Sequence, residues 1–162
     1  MKRRSLLAGL LPLLAGCSAL PGRDAPSTTS LSDDETRLVE RYEAAKAASA
    51  DGRSAYADAV AQYEASEFEN ARETALTGQE HFFEMTDEAS AAKTVATDIS
   101  ATEAANHCEK AVQYADLMSK TALQIIRAAN LQQRDNRDAA RSHMESYEEL
   151  RQRAADERSE YD

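Results

Sequence analysis

Tryptophan is absent from the 162 residues, proline does not occur after Pro26, and cysteine is confined to Cys17 and Cys108. Two thiols cannot build a disulfide framework. The lack of proline beyond position 26 leaves only Gly52 and Gly78 to interrupt helices over the rest of the chain. Positive charge is also scarce: 19 Lys and Arg face 29 Asp and Glu, for a net charge of −10. Neutralising phosphates needs the opposite balance, so nucleic acid is excluded as a partner. Long apolar runs are missing too. The longest, Leu6 to Leu14, is interrupted by Pro12, and as a helix it reaches about 14 Å against a hydrocarbon core of about 30 Å.

That short run belongs to a different pattern. Lys2, Arg3 and Arg4 precede it, and the small pair Ala15-Gly16 leads from it into Cys17, the order of a cleavable signal peptide. The tetrad Leu14-Ala15-Gly16-Cys17 resembles the lipobox of membrane lipoproteins. The resemblance implies cleavage between Gly16 and Cys17, a lipid on the Cys17 thiol, and a mature chain held on the outer face of the cell membrane. Arg3-Arg4-Ser5-Leu6-Leu7 also resembles the twin-arginine signal for export of folded proteins, although Lys2 and Leu6 depart from it; general secretion fits the same charges. Residues 17–31, with Pro21, Gly22, Pro26 and a Ser-Thr-Thr-Ser stretch, read as the lipidated start and a flexible tether. Fourteen such residues span at most about 50 Å.

Residues 32–162 form the predicted folded domain. Loss of residues 1–16 removes three cations and no anion, which takes the net charge from −10 to −13. Four lysines remain (Lys46, Lys93, Lys110, Lys120), and Leu, Ile, Val and Phe together number 18 of the last 146 residues. This acidic, lysine-poor, alanine-rich composition resembles that of proteins from salt-loving archaea; a bacterium of high genomic GC content is the alternative. Such a composition alone also suits disorder, and periodicity decides against it. Ala71, Ala75, Phe82, Met85, Ala89, Ala92, Ala96 and Ile99 form one helical stripe, and Ala104, Cys108, Ala111, Ala115, Met118, Ala122, Ile125 and Ala129 form another. Alanine-rich stripes let helix backbones approach closely.

The expected fold is all-α, an antiparallel bundle of about four long helices. The first starts at the capping-box pair Ser32/Glu35 and runs toward Ala65, with a possible break at Asp51-Gly52. The second covers about Glu67 to Ile99. A further capping-box pattern, Ser100/Glu103, opens the third, which ends between Asn130 and Asn136. The fourth runs on to about Ser159; its Ala140, Met144, Tyr147, Leu150 and Ala154 trace a packing face, with Glu149-Arg153 and Arg153-Glu157 spaced for ion pairs. Residues 55–82 (Ala59, Tyr63, the turn Ser66-Glu67-Phe68, then Ala71, Ala75 and Phe82) resemble one tetratricopeptide hairpin, which implies an antiparallel helix pair and, in that family, a protein-binding surface. One hairpin cannot form the groove of a solenoid.

Chemical signatures are sparse. His81, His107 and His143 fall on three helices, yet the residues three before them are Gly78, Ala104 and Ala140, so the Glu-x-x-His ligand pairs of di-iron bundles do not occur. His107-Cys108 lacks the second cysteine of a haem attachment site. Cys108 lies on an apolar stripe and reads as a small core residue. The tyrosines Tyr42, Tyr56, Tyr63, Tyr114, Tyr147 and Tyr161 suit helix interfaces. The reading is therefore a lipid-anchored, extracytoplasmic, noncatalytic interaction or structural module with a protein partner, with no catalytic residue, metal or cofactor assigned. The alternative is a ligand-binding or accessory subunit that holds a metal, lipid or small solute between helices.

The charge and the small core generate a first test. If the chain is halophilic, helix content measured by circular dichroism falls in dilute buffer and returns near molar salt, where the Debye length is about 3 Å. Full helicity in dilute buffer overturns that origin.

Overall fold

A computed structural model describes residues 31–161, with side chains through residue 158. The expected signal peptide, Cys17 and nearly all of the expected tether lie outside these residues. The described chain forms α1 (Asp33–Glu64), α2 (Phe68–Asp98), α3 (Thr102–Gln132) and α4 (Arg137–Tyr161), with no strand among the described residues. Links of three or four residues force each helix to double back on the one before it, which gives the expected all-α antiparallel bundle.

The capping box at the start of α1 is formed: Ser32 Oγ accepts the Glu35 N–H at 3.3 Å, and the Glu35 carboxylate accepts the Ser32 N–H at 2.7 Å. These bonds to the charged form hold the Glu35 carboxyl below its usual range. Asp33, Asp34 and Glu35 also place negative charge at the positive end of the helix dipole.

The second expected box, Ser100/Glu103, does not form. The N-cap of α3 is Ala101, with no side-chain cap bond. Ser100 instead closes α2 in the left-handed region, at φ 61°, with its N–H donating to Thr97 O and the next N–H, of Ala101, donating to Ala96 O. Ser66 (φ 65°) and Asp135 (φ 56°) close α1 and α3 through the same pair of bonds. Left-handed geometry costs a residue with a Cβ about 1–2 kcal/mol, which the capped carbonyls offset.

Nor is there a break at Asp51-Gly52: α1 continues for 32 residues. Gly52 is buried, and a Cβ there would lie 3.0 Å from the Phe82 ring; a Cβ on Gly78 would lie 3.3 Å from the Gly52 carbonyl oxygen. Both glycines serve close approach of α1 and α2. Phe82 is fully buried and meets Tyr114 of α3 edge-on, with centroids 6.4 Å apart. Around this point the predicted stripes pack as alanine seams, with Ala75, Ala89, Ala111 and Ala122 fully buried, as is Ala45 of α1.

Helix α3 is the centre of the molecule. Beyond its predicted stripe it buries Tyr114, Leu117, Thr121, Ile126 and Ala128, because it packs on α2 and α4 and touches α1 along a narrower line. Helix α4 docks on α3 through the expected face, with Ala140, Tyr147 and Ala154 buried and Met144 and Leu150 packed at the margin. The backbones of α1 and α4 barely meet; Tyr56 and Tyr147, stacked at 5.7 Å, fill the space between them. The expected ion pairs of Arg153 give way to others, since Glu157 turns to Lys110 at 3.8 Å and Arg151 bonds Glu148.

Helix propensity favours alanine over glycine by about 1 kcal/mol, whereas overpacking of a filled core costs about 1–3 kcal/mol. Gly52→Ala and Gly78→Ala are therefore each expected to lower the melting temperature. A rise in either variant, read by thermal denaturation, would contradict the packing described for α1 and α2.

Candidate functional site

The residues assigned to export, cleavage and lipid attachment (Arg3, Arg4, Gly16, Cys17) lie outside the described residues. The other residues singled out in the predicted folded domain lie within them. In the tetratricopeptide-like hairpin, Ala59, Ala71, Ala75 and Phe82 are buried, and Tyr63 meets Phe68 edge-on at 5.3 Å across the Ser66 turn. The hairpin helices continue to 32 and 31 residues, about twice what a 34-residue two-helix repeat holds. The pair is thus one side of a longer bundle.

The three histidines sit at different heights. From the end carrying the 65–67 and 133–136 turns, His81, His107 and His143 lie about 20, 38 and 9 Å along the axis at helical rise. His81 Nδ1 is 3.6 Å from a Glu84 oxygen, and His143 Nδ1 is 2.8 Å from Gln124 Oε1. Among the described residues no three His, Cys, Asp or Glu side chains come together as a metal site. Cys108 is 1% exposed, and burial pushes its thiol up to about 11, which keeps it protonated and unreactive at neutral pH.

Charged side chains form two arrangements on the surface. Arg41 Nη1 meets both carboxylate oxygens of Glu88 at 2.9 Å, Lys93 pairs with Glu109, and Lys110 lies 3.8 Å from Glu157. These pairs clip α1 to α2, α2 to α3 and α3 to α4 at one level, about 30–38 Å from the same end of the bundle. Exposed pairs of this kind contribute about 0–1 kcal/mol each. An open groove beside the first pair, lined by Arg37, Glu40, Arg41, Ala44 and Glu88, has its central charges matched to each other.

The second arrangement is the outer face of α2, where Glu73, Leu76, Glu80, Phe83, Glu84 and Asp87 are all exposed. Leu76 is 38% and Phe83 54% exposed. Sequence reading did not single out either residue. The available signal was their seven-residue spacing off the alanine stripe.

The Cys108 geometry carries a test in the Cys17→Ser chain, where Cys108 is the remaining thiol. A thiol reagent is expected to modify it in denaturant and to spare it in the native protein. An unfolded thiol ionises near 9 and the folded one near 11. Between these values the unfolded state releases its proton first, so stability falls as pH rises, and Cys108→Ala makes the decline shallower. Rapid native modification would contradict the burial. No family model, curated protein or solved structure matches this chain.

Proposed function

We propose that the chain is a lipid-anchored extracytoplasmic protein whose helical bundle serves as a noncatalytic interaction or structural module at the cell surface. The observation that carries this reading is the tetrad Leu14-Ala15-Gly16-Cys17 behind a basic start and a short apolar run. A cysteine bearing two long acyl chains holds a protein on a bilayer effectively for good, at about 0.8 kcal/mol per buried methylene. The described residues contain no helix long and apolar enough to cross a membrane, so attachment in this reading falls to Cys17.

The body suits a spacer or a platform. Its 31-residue helices make a rod about 46 Å long, on a tether that reaches at most about 50 Å. The mature charge of −13 repels anionic headgroups and keeps the rod in water. Arg3-Arg4 and the acidic surface are in keeping with twin-arginine export and a halophilic source, both part of this proposal.

Intact mass of the protein extracted from its native membranes tests the anchor. The expected mass is that of residues 17–162 plus a two-chain lipid, and Cys17→Ser is expected to release the protein from sedimenting membranes. An unprocessed chain, or a serine variant that still sediments with membranes, overturns the proposal.

A further inference from the structure

The outer face of α2 exposes two large apolar side chains in a molecule that has few. Of three phenylalanines in the sequence, Phe82 is fully buried while its neighbour Phe83 stands 54% exposed. Leu76 lies seven residues earlier on the same stripe, about 10 Å along the axis. Apart from Leu31, at the edge of the described chain, these are the large exposed hydrophobics among the described residues.

Carboxylates frame the pair. Glu73 and Glu80 stand one turn before Leu76 and Phe83, and Glu84 and Asp87 follow Phe83 on the same side. The permanent cations of α2 are Arg72 and Lys93, and both are engaged: Arg72 with Glu69 and Glu73, Lys93 with Glu109 of α3. Glu80 and Asp87 form no ion pair among the described residues. An apolar seam at seven-residue spacing with acidic shoulders is half of a helix–helix interface, in which the apolar residues supply affinity and the shoulders select the partner by opposite charge.

We infer that this face binds a cationic amphipathic helix of another protein, with apolar side chains spaced to meet Leu76 and Phe83 and Lys or Arg residues placed to meet Glu80, Glu84 and Asp87. Charge rules against the other occupants. A second copy would set carboxylate rows against each other, and an anionic bilayer would be repelled in the same way. The inference rests on the interaction-module reading and gives it a surface and a partner chemistry.

The test uses the full mature chain, reconstituted in neutral-lipid vesicles, and a labelled synthetic helix with leucines seven residues apart flanked by lysines. Saturable binding by fluorescence anisotropy is expected. Leu76→Ser with Phe83→Ser, both on the surface and checked for unchanged helicity, should weaken it by about tenfold or more. Glu80→Lys with Asp87→Lys should do the same and should restore affinity for a peptide whose lysines are replaced by glutamate. Absence of binding, or equal binding by the serine variant, overturns the inference, as does a concentration-dependent dimer of the parent chain that Phe83→Ser dissolves. The outcomes separate from those of the anchor. A lipidated chain that ignores the peptide removes this surface and leaves the anchor, and an unlipidated chain that binds it does the reverse.

Discussion

The ring of Phe82 occupies the space that a side chain at position 52 would need, and it reaches across to Tyr114 at 6.4 Å. Three helices meet in that one contact, with Gly52 from α1, Phe82 from α2 and Tyr114 from α3. Because the α1 surface is bare at Gly52 and the α2 surface is bare at Gly78, the two backbones come near enough for alanine to fill the seams above and below. A core poor in leucine and valine is thereby closed by approach rather than by side-chain volume. Close-packed interiors depend on contact distance as much as on residue size. The wider gap, between α1 and α4, needs bulk, and the Tyr56–Tyr147 stack supplies it.

Much of this was legible in the residues. The alanine stripes of α2 and α3 report a period of 3.6 directly, and all their members are buried except Ile99, which packs at the margin. Ser32 with Glu35 forms a cap at the first of the described helices, where no preceding described helix claims the serine. Ser100 with Glu103 has the same spacing and fails, because Ser100 is taken by the end of α2. A sequence window centred on one helix does not weigh the demands of the preceding one. Gly52 read as a weak point for a related reason: propensity records what glycine costs its own helix and omits the phenylalanine that comes to rest on it from another. The second buried face of α3 was likewise hidden, since a helix surrounded on several sides loses the contrast on which periodicity depends.

The candidate residues divide along similar lines. Cys17 and its neighbours stand out through their likeness to a lipobox, which depends on the order of residues in the sequence and not on a fold. Cys108 was legible as core from its place on a stripe. Leu76 and Phe83 were not, because isolated hydrophobic residues on a surface are ordinary; their meaning depends on knowing that α2 turns this side outward and that Arg72 and Lys93 are occupied elsewhere. The histidines drew attention as a set of three, and the antiparallel course of the helices separates them by whole turns.

The ion pairs Arg41–Glu88, Lys93–Glu109 and Lys110–Glu157 share one level of the bundle, toward the end where α1 begins. A pull transmitted through residue 31 acts along the axis of α1 and loads that helix in shear against α2. Sliding by even one turn, about 5.4 Å, would break the Arg41 clip and drive the Gly52 notch off the Phe82 ring in the same movement. The Arg41 clip and the Gly52 notch, about 16 Å apart along α1, would therefore give way together under such a pull rather than one after the other.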